Sequence, residues 1–219
     1  ILAEVKLMAN YPKPSRKFIS HERANLKEND RLLAQEFNYE YFDGSRLLGL
    51  GGYEYINDYW KNTCIDFINY YKLDKKSSLL DVGCGKGFTL FEFCKLIPQL
   101  RVRGLEISNY CLNNSLPVVK PNIDLGCCSC LPYDSNSFDL AISIATIHNL
   151  DINGVKRSLK ELIRVSKKSF IKINGFRNES EKDSLNKWNL VAKTILHVSE
   201  WEKIFDEVGY DREWEFFTP

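Results

Sequence analysis

Between Ser78 and Ile173 the chain alternates between two hydrophobic periods. Short, nearly continuous apolar runs (SLLDV at 78–82, RVRGLEI at 101–107, NIDLGC at 122–127, FDLAISIA at 138–145 and SFIKI at 169–173) predict buried β-strands. Between them the apolar residues recur every three or four positions. This predicts helices over Lys86–Ile97, stopped by Pro98, a short one at NYCLNNSL, and one over Asp151–Val165 carrying Val155, Leu159, Leu162 and Ile163. Before this block, Ile56, Trp60, Cys64, Phe67, Ile68 and Tyr71 share one helical face over 56–71. After it, SEWEKIFDEVG predicts a last helix closed by Gly209, and YDREWEFF a final strand. Strands alternating with helices of this length imply an α/β, doubly wound, mostly parallel sheet with helices on both faces and ligands at the carboxyl ends of its strands.

Two regions fall outside the alternation. Residues 1–55 hold two early prolines, alternating charge and EYFDGSRLLGLGGYEY, whose glycines at 44, 49, 51 and 52 sit among tyrosines. This reads as an arm, a surface helix and an aromatic glycine loop covering a site. Residues 175–198 read as a lid-like loop and helix inserted at the ligand edge of a single domain spanning 56–219. At 219 residues the chain suits one buried core.

Charge narrows the partners. Thirty Lys and Arg against 29 Asp and Glu leave no basic excess for a polyanion, so the expectation is a small-molecule substrate and no nucleic acid. No apolar run approaches a span's ~20 residues, so no membrane is expected; with no leader evident, a cytoplasmic location follows. Seven cysteines, an odd number without histidines at zinc spacing, suit free thiols and no metal. Ile1 at the start and a lone methionine at position 8 point to a natural start upstream. Composition is silent on oligomeric state.

Candidate chemistry lies in DVGCGKG. Gly83, Gly85 and Gly87 are spaced G-x-G-x-G, with Phe88 where a dinucleotide turn wants glycine. Asp81 repels a pyrophosphate but attracts a ligand bearing a sulfonium and an ammonium. Glu106, at the end of the second strand, can accept both hydrogen bonds of a ribose diol.

DVGCGKG, the LEIS after it, CLPYDSNSFDLAIS and the IHN after the fourth strand together resemble the class I S-adenosylmethionine-dependent methyltransferases over residues 55–175. The flanking EYFDGSRLLGLGGYEY and GYDREWEFF are similar to a bacterial subgroup of small enzymes in surface-polysaccharide or other small-molecule pathways. The resemblance implies a Rossmann-like fold and S-adenosylmethionine as cofactor. It implies that Asp81, Gly83, Cys84 and Gly85, with Gly87, hold the methionine half, that Glu106 holds the ribose, and that Ile107 packs on the adenine, with Ile144 at the end of the fourth strand. Many members carry an aspartate before Leu-Pro-Tyr for the adenine amino group; Gly126, Cys127 and Cys128 stand there, so a backbone carbonyl or Asp124 is expected to serve. One terminal strand replaces the antiparallel pair of many relatives.

The expected reaction is methylation of a small polar molecule on oxygen, such as a sugar, a nucleotide-linked or a phosphorylated metabolite. His148 is the expected general base, titrating near neutrality. Tyr53, Tyr55, Asn149 and Arg177 are the expected substrate contacts, with Asn174 at the same edge. The alternative is a non-catalytic cofactor-binding subunit supporting a partner enzyme.

Overall fold

A computed structural model describes residues 4–12 and 22–219. His21, to which no role is assigned, and most of the expected arm lie outside them. The sheet has the order β3-β2-β1-β4-β5 and is built from β1 (Ser78–Val82), β2 (Arg101–Glu106), β3 (Ile123–Leu125), β4 (Phe138–Ile144) and β5 (Ser166–Phe176). Two further strands, β6 (Leu196–His197) and β7 (Glu213–Phe217), both pair with β5. Every strand pairing among the described residues is parallel.

Adjacent side chains of β1 point to opposite faces, so Leu79 and Leu80 enter different cores. Leu79 packs with Leu140, Ile142 and Phe170 against α3 (Lys61–Tyr71) and α4 (Phe88–Leu96), which contribute Cys64, Phe67, Leu90 and Phe93. Leu80 packs with Ala141, Ile171 and Ile173 against α6 (Ile152–Val165) and α8 (Val198–Val208), which contribute Val155, Leu159, Trp201 and Phe205. This is why these strands read as continuous apolar runs: both faces are covered. The short α5 (Asn109–Asn113), capped by Ser108, follows β2, and α7 (Glu179–Trp188) follows β5.

Several boundaries differ from the sequence reading for local reasons. The helix expected from Ile56 starts at Lys61, because Asp58 takes a left-handed conformation (φ 60°) and Ile56 is exposed. The helix expected from Lys86 starts at Phe88, since Gly87 has φ 80°. β5 runs well past SFIKI in both directions, so Gly175 and Phe176, expected in the lid, are strand, as is Asn174. Gly209 (φ 71°) closes α8 as expected. β7 runs parallel to β5 from Phe170↔Glu213 to Asn174↔Phe217, and the backbone of Val5 donates to Trp214 O (2.9 Å), laying the other end of the chain beside β7.

A third, smaller cluster lies above the sheet. Ala34 of α1 (Glu28–Gln35) packs with Leu190 and Val191, beside Tyr41 of α2 (Tyr39–Phe42), joining the first elements to the segment after α7.

Candidate active site

The crevice opens at the strand order's reversal between β1 and β4, where the following loops leave in opposite directions. Gly83 (φ 84°) is pressed against Thr146, where an added Cβ would lie 2.1 Å from its hydroxyl. Gly85 (φ 56°) faces Tyr53, where a Cβ would lie 2.9 Å from the ring. Both positions therefore require glycine on two counts, conformation and space. Gly87 caps α4 in the left-handed region beside Val119; it shapes the turn and lines neither cavity.

A cavity of about 440 Å³ runs along these strand ends, lined by Asp81, Gly83, Cys84, Gly85, Glu106, Ile107, Cys127, Cys128 and Ile144. Asp81 is 3% exposed, and its carboxylate accepts no hydrogen bond among the described residues. Burial, reinforced by Glu106, pushes its pKa up to about 7. A buried acid without a donor fits a cationic ligand. Glu106 differs: Oε2 accepts from Gly85 N (2.7 Å) and Oε1 from Ile107 N and Ser108 N (3.0 Å each). Burial raises its pKa, and these three N–H groups oppose the rise. The same bonds lock the glycine loop onto β2 and aim the carboxylate along the cavity. S-adenosylmethionine fits this donor set, having a cationic ammonium to offer a buried acid and a ribose diol to offer a carboxylate.

Asp124 does not take the place of the family aspartate. It lines neither cavity and accepts from Arg103 (2.5 Å) and Tyr133 (2.9 Å). Cys127 stands at the cavity wall with its sulfur 3.1 Å from Ser129 Oγ, and Cys128 leans on the core and accepts from Ser158.

A second cavity, of about 910 Å³, adjoins the first. The two share Tyr11, Tyr41, Tyr53, Trp60, Ile144, Ala145 and Asn149 among their lining residues. His148 and Asn174 line the larger one alone. His148 is 5% exposed, and burial pushes its pKa down to about 4. Its Nδ1 accepts from Asn174 N (3.3 Å), which leaves the ring proton on Nε2. The imidazole is thus a neutral hydrogen-bond donor, which departs from the expected general base. Asn149 presents a buried Oδ1 with no partner among the described residues.

The remaining expected contacts divide. Tyr53 lines both cavities. Tyr55 lines neither: its hydroxyl donates to Glu92 (3.0 Å) and accepts from Lys95, with its ring on Phe88 and Phe91. Arg177 lines neither; it pairs with Glu4 (2.6 Å) over the Phe216 ring. His197, to which no role is assigned, caps α8.

The sequence reading missed the latch that holds the aromatic loop down. Lys86, 7% exposed, donates to Asp43 (2.5 Å) and to Tyr53 O (2.8 Å), while Asp43 also accepts from Tyr110 and from Tyr53 N. An aspartate beside glycine inside an aromatic run was the available signal, and it reads as an ordinary turn until Lys86 is beside it. Among the described residues no cluster suits a metal ion, and no helix is long and apolar enough to cross a membrane.

A methyltransferase-domain model matches residues 80–169. The chain is 35% identical over 139 residues to the tRNA (carboxymethyluridine(34)-5-O)-methyltransferase of Arabidopsis thaliana, covering 59% of this chain and 31% of that one. It is 30% identical over 151 residues to a chain named as a methyltransferase in Encephalitozoon cuniculi, covering 62% of this chain and 68% of that one. It thus spans under a third of the Arabidopsis protein and about two thirds of the Encephalitozoon protein. Solved structures share the fold. One is a methyltransferase from an antibiotic biosynthesis pathway of Anabaena variabilis (TM-score 0.54, 21% identity, 68% of this chain and 61% of that one). Another is from a complex of a methyltransferase with the Haloferax volcanii Trm112 methyltransferase activator (0.52, 19%, 63% and 62%). With the buried acid, the glycine turn and the strand-end glutamate in one crevice, the chain belongs to the class I S-adenosylmethionine-dependent methyltransferases.

Proposed function

We propose that the chain methylates a carboxylate oxygen, on a nucleoside of the kind its Arabidopsis relative is named for. The carrying observation is the strip shared by the two cavities, which holds no group able to take a proton at neutral pH. Burial holds the Tyr41 phenol up at about 12 and the Tyr53 phenol well above its ordinary value; a phenol keeps its proton at neutral pH, and apart from Tyr11, a third phenol, the other shared residues carry no ionisable side chain. His148 beside it keeps Nδ1 occupied.

An alcohol acceptor needs its proton removed as it reacts, whereas a carboxylate is already a nucleophile. S-adenosylmethionine, when bound, supplies a methyl group on a positively charged sulfur. The carboxylate oxygen forms the C–O bond as the C–S bond breaks, and no proton moves. What the chain must do is align: His148 Nε2–H donates to the acceptor's second oxygen, Asn149 orients its neighbour, and Tyr53, Tyr41 and Trp60 keep water out. A free small polar metabolite bearing a carboxylate is the second reading, favoured by the even balance of 30 cationic and 29 anionic side chains.

The test is transfer of labelled methyl to 5-carboxymethyluridine, free and within RNA, against unmodified uridine. The product should be an ester that mild alkali cleaves. At saturating cofactor the turnover should stay flat from pH 6 to 8, and His148→Ala should lose about ten- to hundredfold, the worth of a hydrogen bond to a charged group. An alkali-stable product, or a histidine-range step in turnover that His148→Ala abolishes, overturns the reading.

A further inference from the structure

Two guanidinium groups share one end of the larger cavity without a carboxylate between them. Arg23 and Arg46 lie 4.7 and 5.9 Å from the Trp188 ring centroid. Arg23 is 3% exposed and donates to the carbonyls of Leu47 (3.1 Å), Arg46 (3.0 Å), Gly49 (2.7 Å) and Trp188 (3.4 Å). Burial, and then Arg46, push its pKa down to about 10. Arg46 donates through Nη1 to Gly49 O (2.5 Å). Neither arginine reaches a carboxylate within ion-pair distance among the described residues, and residues 1–3 and 13–21 contain no Asp or Glu.

The other charges around the cavity behave differently. Lys172 is held by Glu215 (2.5 Å), and Glu4 holds Arg177. Glu54 is exposed at the rim, as is Lys6. Carbonyl oxygens satisfy the donors of Arg23 but leave its charge and that of Arg46 uncancelled, and adjacent desolvated like charges are costly. An anionic ligand relieves that cost. The planar fork of arginine suits phosphate, and Arg46, whose guanidinium donates one hydrogen bond among the described residues, has donors to spare. Both arginines line the larger cavity and neither borders the smaller one, so the anion they meet is not the reacting oxygen.

We propose that Arg46, backed by Arg23, is a positioning residue for a phosphate of the acceptor, bound away from the oxygen that is methylated. The site rests on the larger cavity being the acceptor site, as in the reading above, but not on which oxygen reacts. Arg23 fixes the 46–49 loop, and Arg46 offers the free edge of its guanidinium.

The experiment compares the wild type, Arg46→Gln and Arg46→Lys, each saturated with S-adenosylhomocysteine, for binding of inorganic phosphate by calorimetry at two salt concentrations. The wild type should bind phosphate, more weakly at high salt. Arg46→Gln should bind it at least tenfold more weakly, and Arg46→Lys should fall between. S-adenosylhomocysteine affinity should stay within twofold. As acceptors, 5-carboxymethyluridine, its 5′-monophosphate and a short RNA containing it separate the phosphate sources. The phosphorylated forms should have KM values at least tenfold lower than the nucleoside, at similar kcat, in the wild type and not in Arg46→Gln. A monophosphate as good as the RNA makes the source a free nucleotide; an advantage for the RNA alone makes it the phosphodiester. Equal phosphate binding in all three proteins overturns the proposal, as does one KM for every acceptor. If phosphate binding depends on Arg46 while no carboxylate is methylated, the phosphate site stands and the carboxylate reading falls. Should Arg46→Gln melt far below the wild type, Arg46→Lys and the salt dependence decide, and salt-independent phosphate binding overturns the proposal.

Discussion

The two cavities meet along one strip yet are built in opposite ways. The smaller is floored by strand ends and the turns that follow them, at 81–85, 105–107, 126–128 and 144–146, where the buried charges are the two acids Asp81 and Glu106, and Glu36 and Lys193 stand on the loops that close over it. The larger draws on residues 4–11, the 41–60 loop, 188–192 and 215–219, and it carries charges of both signs, aromatic rings and a neutral histidine. Cofactor recognition needs a fixed curvature of backbone, which a sheet supplies within a few consecutive residues. Acceptor recognition needs only that side chains converge, and loops from both ends of the chain can supply those.

Breaking the smaller cavity should have the largest effect. Gly85→Val forces a branched side chain into φ 56° and to within contact of Tyr53. Calorimetry with S-adenosylhomocysteine should show at least a hundredfold loss, and normal binding would mean that the cofactor lies elsewhere.

Asp81→Asn should separate binding from stability. With its pKa raised to about 7, Asp81 keeps a proton in the folded apoprotein that the unfolded chain gives up near pH 4. Between those values the unfolded state binds fewer protons, so stability is full below pH 4 and falls as pH rises to about 7. The wild-type apoprotein should therefore melt lower at pH 8 than at pH 5, and Asp81→Asn should lose most of that difference. At pH 8 the variant gains up to about 4 kcal/mol as an upper bound. The same change removes the acid facing the ammonium and should weaken cofactor binding about ten- to hundredfold. A pH-independent wild-type melting temperature contradicts the buried acid, and unchanged affinity contradicts its role.

The smallest effect belongs to Arg177, which the sequence reading placed on the substrate. Its exposed pair with Glu4 is worth about 0–1 kcal/mol. Arg177→Ala should leave KM, kcat and cofactor affinity within about twofold; a larger rise in KM alone would return it to the acceptor site.

Asp81, Gly83, Gly85 and Glu106 were legible in the sequence because they sit at set distances from apolar strands that mark themselves by composition. Tyr55 was misplaced by the same proximity logic. It lies two residues beyond Tyr53 and its ring also rests on Phe88, but its hydroxyl is taken by Glu92 and Lys95, and it lines neither cavity. Arg23 and Asp43 carry no local pattern. Each becomes meaningful through a partner far along the chain, Trp188 for one and Lys86 for the other.

By itself the sequence determined the parallel sheet, its helices and the glycine turn at its crevice, since apolar periodicity and glycine spacing act over a few residues. Only the tertiary structure decided the state of His148. Its neutrality comes from burial, and its tautomer from the amide of Asn174, one strand away. The uncancelled charge of Arg23 and Arg46 was likewise hidden. Whether an arginine meets an acid depends on which loops converge, and the nearly even overall charge gives no hint of it.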